Sequence, residues 1–263
     1  MQKIQEYNNF FWDFVNQYDT KDESILRKII HSYEVANCAF KIACHLNLDA
    51  ENRLFAYVCG LFHDLGRFEQ WKTYHTYSDR ASVDHGETGA QIFISYDCEK
   101  QFDLTPRQVE ILKNTIKYHT KPYMGDDKDV DFYTKIVKNS DAMANINTTA
   151  NASHKMGYTA DGVTPEILEA FENMKPLWPF KCNTKLDRCL QFVANCYYVR
   201  YPFLRKEILA ANFIDIMCES FSVYLNQQDK QTFKNAIETL KPKYAQTCNQ
   251  TLEQIEVESG EVF

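Results

Sequence analysis

The chain has 263 residues, 44% hydrophobic and 25% charged, which is ordinary for a soluble globular protein and long enough for one large core or a core with an appended subdomain. Its net charge of −7, without any block of clustered Lys or Arg, lacks the electrostatic footprint of a protein that grips duplex DNA or RNA. Nine cysteines, an odd number scattered without a Cys-x-x-Cys pair, predict reduced thiols and a cytoplasmic setting, with Cys38, Cys44, Cys59, Cys189 and Cys196 acting as small hydrophobes inside helical patterns. The opening MQKIQEYNNFFWDF has no signal-peptide pattern, and the longest apolar run, Leu54 to Phe62, is about half of the ~20 residues that a membrane span needs, so no membrane partner is expected.

With only eight Gly and seven Pro, the intervening segments favour the helical period over alternation, which predicts an all-α fold. Apolar positions Ile25, Ile29, Ala36, Phe40 and Ala43, with a second line through Val35, Cys38 and Ile42, predict a long helix from Asp22 to about Leu46. A second helix, Ala50 to Asp64, is apolar nearly all round in its second half, as in the centre of a bundle, and Gly66 is expected to end it. The segment RFEQWKTYHTYSDRAS is aromatic and polar without period and predicts an ordered loop with about one helical turn. Ser82 or Asp84 caps the next helix, which runs to about Tyr96.

Farther along, Thr105 as N-cap and Pro106 at the first helical position open a helix with Val109, Leu112, Ile116 and His119 on one face. Another helix, from about Val130 to Asn147, carries Ile136, Val137 and Asp141, and the Asn-, Thr-, Ala- and Gly-rich stretch from Asn147 to about Thr164 is the expected boundary. Three or four more helices follow, including Leu186–Tyr201, Phe203–Leu225 and Gln231 to about Ile255. The expected organisation is a metal-binding helical core with an N-terminal helix over 1–150 and a helical extension over 151–263 packed on the same core.

The chemistry lies in residues whose burial needs explaining. His63 and Asp64 sit side by side at the end of a buried helix, where neither is tolerable as an unpaired charge, and a bound cation would resolve the cost. His31 falls in line with Val35 and Cys38, facing inward, and Asp141 lies one turn after Val137 on a mainly apolar face. Two His and two Asp on three helices make a site for a hard or borderline divalent metal. His85, among the small residues Gly86, Gly89 and Ala90, and His119, at a helix end, fit a second ion, with Asp64 bridging the two through its two oxygens; beside a single ion they would serve as phosphate contacts instead. Any one buried His is by default a core residue satisfied by a hydrogen bond, and it is the joint pattern that points to metal. His45, His75 and His154 read as surface or loop residues. The aromatic stretches YNNFFWDF and CYYVRYPF read as packing rather than a base-stacking platform.

The order His31, His63-Asp64, His85, His119, Asp141 resembles the HD superfamily of metal-dependent phosphohydrolases, in the variant with two extra His ligands for a binuclear site. The likeness spans about Asp22 to Asn147, and the segments HDLGR, DHGETGA and YHTK are similar to those of bacterial binuclear HD hydrolases that split dinucleoside polyphosphates. It implies a helical HD-domain bundle with the metals at its centre. It also implies two divalent ions per chain, without distinguishing Fe, Mn, Zn, Mg, Ni and Co, and hydrolysis of a nucleotide or other small phosphate ester or anhydride through a metal-activated hydroxide at Asp64. Family members often carry a basic residue three positions after the Asp of the pair. Arg67 occupies that position and is either a transition-state phosphate contact or a surface cation near a helix end. Arg80, Tyr77 and Thr76 are candidates for the rim, and Glu34 and Asp84 either orient ligands or belong to a solvated helix face.

Two other functions share these residues: a di-iron oxygenase of the same superfamily, such as inositol oxygenase, and a metal-holding regulatory module that binds a nucleotide without turning it over. A homo-oligomer is compatible with the sequence. Residues after about Asn151 match no functional motif.

Overall fold

A computed structural model of the chain describes residues 2–96, 103–121, 125–151, 157–177 and 179–258. Among them every regular element is helical and none is a strand. Contacts divide the chain into two compact units, Met1–Asp141 and Ala142–Val262.

In the first unit, α1 spans Gln2–Val15, α2 Glu23–His45, α3 Ala50–Phe62, α4 Leu65–Tyr74, α5 His85–Ser95 and α6 Pro106–Tyr118. A further helix, α7 over Lys128–Asn151, contributes its first part to this unit. The starts are set by side-chain oxygens that take up otherwise unbonded backbone N–H groups. Asp22 accepts from the N–H groups of Ser24 and Ile25, Asp49 from Asn52 and Asp84 from Glu87, while Thr105 and Gln108 form a reciprocal capping box with Pro106 next to the cap.

The apolar half of α3 is buried from Phe55 to Phe62 on every side, which makes this helix the axis of the unit; each such large apolar side chain contributes about 1.5–3 kcal/mol. Helix α2 lies closest to it: a Cβ on Gly60 would stand 2.8 Å from Ala36 Cα and 2.9 Å from the Val35 carbonyl oxygen, so only glycine admits this approach. Phe11 of α1 meets Tyr33, Phe62 and Phe68 edge to face at ring separations of 5.5, 5.9 and 6.0 Å, so the aromatic N-terminal stretch packs as core.

Two expectations fail between residues 63 and 82. Gly66 does not end a helix, and RFEQWKTY is not a loop: α3 stops at Phe62, and α4 begins three residues later, at Leu65. Helix α4 buries Leu65, Gly66, Phe68 and the polar Gln70, so its inward face lacks the apolar repeat that would have advertised it. Gly66 is needed instead for contact with α5, because a Cβ there would lie 2.0 Å from the His85 carbonyl oxygen and 2.7 Å from the Gly89 nitrogen. His75 ends α4 in the left-handed conformation, with φ 51°, and a single 3-10 turn, Asp79–Ala81, precedes α5.

The second unit contains α8 (Pro165–Glu172), α9 (Lys185–Tyr198), α10 (Pro202–Ala210), α11 (Phe213–Ser222), α12 (Gln227–Thr247) and α13 (Leu252–Glu258). The stretch expected as one helix from Phe203 to Leu225 is broken after Ala210, where Asn212 takes φ 54° and reverses the local winding. The helix expected from Gln231 starts earlier, at Gln227, continues through Pro242, and is separate from α13. Buried Asp187 ties the start of α9 to residue 164, accepting from the Thr164 N–H and hydroxyl at 2.8 and 2.7 Å and from the Asn183 N–H at 2.9 Å. Helix α7 runs to Asn151, beyond the Asn147 at which the boundary stretch was expected to open; residues 152–156 of that stretch, including His154, lie outside the described residues. No helix among the described residues is long and apolar enough to cross a membrane, and the described cysteines are free thiols.

Candidate metal centre

The helix ends of the first unit deliver its polar side chains to one place. His63 is the C-cap of α3, Asp64 the N-cap position of α4, His85 the first residue of α5, and His119 the C-cap of α6, while His31 and Asp141 project from within α2 and α7. Asp64 stands where a carboxylate would ordinarily cap the following helix, yet it makes no capping bond. Its oxygens turn instead to the histidines. Oδ2 lies 3.5 Å from His63 Nε2 and 3.7 Å from His31 Nε2, and Oδ1 lies 3.3 Å from His85 Nε2 and 3.6 Å from His119 Nε2. Two buried triads therefore share one carboxylate: His31, His63 and Asp64 on one side, and Asp64, His85 and His119 on the other.

Asp141 joins the first triad, with Oδ1 3.0 Å from His31 Nε2 and 4.0 Å from His63 Nε2. It is less enclosed than its position after Val137 implies: 30% of its side chain is accessible, which opens this side of the cluster to solvent.

The hydrogen-bond partners of the rings fix which nitrogen faces the cluster. His63 Nδ1 donates to the Gly60 carbonyl at 2.6 Å and His119 Nδ1 to the Ile116 carbonyl at 2.7 Å, while His85 Nδ1 donates to the Asp79 carboxylate at 2.7 and 2.9 Å. In the neutral rings this leaves an Nε2 lone pair pointing at the shared aspartate. Burial pushes His63 down to about 3, so this ring is neutral at physiological pH, and it pushes His85 down as well against the upward pull of Asp79. His85 and His119 hold their Nε2 atoms 3.2 Å apart, an arrangement of two acceptors that requires a shared proton or a cation. Among the described residues His31 Nε2 and His63 Nε2 are buried without a hydrogen-bond partner, their nearest polar neighbours being the carboxylates of Asp64 and Asp141. Burial would raise both carboxyls, but Lys28, His63, His119 and Arg67 outweigh it and hold Asp64 well below the usual carboxylate range, and His31 and His63 do the same for Asp141. Ionised carboxylates, neutral imidazoles and orphaned lone pairs form a donor set that fits divalent cations.

Around the triads stand Asp79, Lys28 and Gln70, which the sequence did not single out, and several residues that it did. Asp79, on the 3-10 turn, orients His85 and also accepts from Arg67 Nη1 at 2.8 Å and Gln70 Nε2 at 3.0 Å. Lys28 places Nζ 2.7 Å from Asp64 Oδ2; its only signal is its place one helical turn before His31 on the same face. Arg67 comes within 3.6 Å of Asp64 Oδ1 through Nε, while its Nη1 is bonded to Gln70, the Tyr77 carbonyl and Asp79. It is thus a fixed part of the site, neither a loose surface cation nor a guanidinium with both ends open. Tyr77 reaches the rim, its hydroxyl donating to the Ser24 carbonyl at 2.8 Å. Thr76 accepts from the Ser78 N–H, Arg80 is exposed, and neither bonds a cluster residue among the described residues. Asp84 caps α5 and pairs with Lys121 at 2.9 Å, which is a structural role. His45 and His75 are exposed.

The helical first unit converges four histidines on one shared aspartate, an arrangement that could hold divalent metal. Residues 29–146 match the HD domain family, a helical fold associated with divalent metals and hydrolase-type chemistry. Neither a curated protein nor a solved structure matches the chain.

Proposed function

We propose that the protein is a metal-dependent phosphohydrolase acting on a nucleotide or other small phosphate ester or anhydride in a reducing, cytoplasmic setting. The observation that carries this reading is the division of Asp64, whose two oxygens each face a separate pair of histidine Nε2 atoms. His31, His63, Asp64 and Asp141 would hold one divalent ion, and Asp64, His85 and His119 a second. Such ions supply Lewis acidity, lowering the pKa of a water to near neutrality and neutralising charge on phosphoryl oxygens.

The chain's own residues do the rest. Gly60, Ile116 and Asp79 fix the tautomers of His63, His119 and His85, so the donor atoms need no reorganisation when the ligand arrives. Arg67, anchored through Nη1, leaves Nη2 without a hydrogen bond among the described residues and so able to meet a substrate oxygen. The 30% accessibility of the Asp141 side chain supports an approach for a small anion on that side.

The test is release of phosphate or of a shortened phosphoester from a panel of esters and anhydrides, run with Mn, Fe, Zn, Mg, Ni and Co in turn. Product that disappears on chelation and in Asp64→Asn supports the reading. Oxygen uptake without phosphate release, or equilibrium binding without product, contradicts it.

A further inference from the structure

Lys28 forms the shortest polar contact that Asp64 makes, and it does so on the oxygen that also faces His31 and His63. An ammonium 2.7 Å from Oδ2 occupies the side of this carboxylate toward which a divalent ion would be drawn, and two cations on one oxygen in a buried setting repel strongly. Lys28 lies on a flexible stem with 16% of its side chain accessible, and the same Nζ that contacts Asp64 is 5.5 Å from the centre of the Tyr77 ring. Arg27 and Arg67 approach the same ring, at 5.8 and 5.9 Å, so three cations surround one aromatic ring at the rim of the site. The nearby carboxylates are already engaged: Asp64 with the histidines and Lys28, Asp79 with His85 and Arg67, and Asp22 with Trp71 and the start of α2. A displaced ammonium would therefore enter a cationic rim on a chain of net charge −7, and this local excess calls for an anion.

We propose that Lys28 is a substrate-anion residue, exchanging its contact with Asp64 Oδ2 for an anionic phosphoryl oxygen held beside the Tyr77 ring together with Nη2 of Arg67. The identity of the anion rests on the phosphohydrolase reading; the exchange itself rests on the position of Lys28.

Mn²⁺ alone, then inorganic phosphate into the Mn²⁺-loaded protein, are titrated with wild type, Lys28→Met and Lys28→Arg. Lys28→Met is expected to bind Mn²⁺ at least as tightly as wild type, because a competing cation is gone, and phosphate about tenfold more weakly or worse, the scale of one charge-assisted hydrogen bond. Lys28→Arg, which keeps the charge, is expected to retain most of the phosphate affinity. With a cleaved substrate, the loss in Lys28→Met falls on KM more than on kcat. Phosphate binding unchanged in Lys28→Met overturns the proposal, and so does loss of Mn²⁺ binding in both variants, which would make Lys28 a support of the metal centre. Phosphate binding that depends on Lys28, with no ester or anhydride cleaved under any metal, leaves the anion site standing and defeats the hydrolase reading.

Discussion

Replacing Asp79 by asparagine separates the two halves of the site. Asp79 Oδ1 receives Arg67 Nη1 at 2.8 Å, Gln70 Nε2 at 3.0 Å and His85 Nδ1 at 2.9 Å, while Oδ2 is 2.7 Å from His85 Nδ1. An asparagine can keep an oxygen only in one of these places. With the oxygen left to Arg67 and Gln70, its amide N–H faces the His85 Nδ1–H, and the ring relieves that clash by moving its proton to Nε2, which removes the lone pair aimed at Asp64 Oδ1. Loss of such an orienting partner costs about 10- to 100-fold in metal affinity, ~1.4–2.7 kcal/mol. The loss should fall on the ion held by Asp64, His85 and His119, while the ion at His31, His63 and Asp141, which Asp79 does not touch, keeps its affinity. Stepwise metal titration by calorimetry reads this directly, as one weakened and one unchanged step. Equal weakening of both steps, or of neither, would refute the assignment of Asp79 to one half of the centre.

Gly66→Ala should lower stability by about 3 kcal/mol or more, the upper range for overpacking, because the added methyl meets the backbone of α5 rather than a side chain that can turn away; an unchanged Tm would mean that α4 and α5 are not as close as described. In metal-free protein, His63 titrates at about 3 when folded and near 6.5 when unfolded, so the unfolded chain binds the extra proton between these values and stability falls as pH drops through that window, by at most ~1.4 kcal/mol per unit. Urea midpoints at pH 6.5 and 4.5, above the range in which Asp64 and Asp141 titrate, should show a smaller pH dependence in His63→Asn than in wild type, and equal dependence would count against a buried neutral imidazole. Adding a divalent metal to chelated protein should raise Tm, by an amount equivalent to ~2.7 kcal/mol at a hundredfold excess over Kd, and no shift at saturating metal would contradict binding to the folded state.

The candidate ligands could be read from the chain because their burial could be. His31 shares its helical line with Val35 and Cys38, and His63-Asp64 closes an apolar run, so the cost of polar groups at those places pointed to a cation before any geometry was known. Caps such as Asp22 and Thr105-Pro106 fixed the helix starts within a residue, since the side chain that satisfies the first N–H groups is local. What escaped was whatever depends on contact across the fold. Helix α4 hides its inward face behind Gly66 and Gln70, and Gly66 looked like a helix end because its reason, the backbone of α5 pressed against it, is about twenty residues away. Asp79 and Lys28 act on partners brought in by folding, six residues ahead of His85 for one and on a different helix from Asp64 for the other; no spacing rule exposes Asp79, and the place of Lys28 one turn before His31 does not name Asp64 as its partner. The break at Asn212 was missed because a lone left-handed residue leaves the apolar pattern on both sides intact.

The central claim is a pair of ions sharing Asp64, and counting metal ions per chain tests it most directly. Protein purified without added metal and then reconstituted should hold about two ions per chain in wild type, about one in His119→Gln, and essentially none in Asp64→Asn. A wild-type value well below one, with His31→Ala changing neither metal content nor activity, would contradict it.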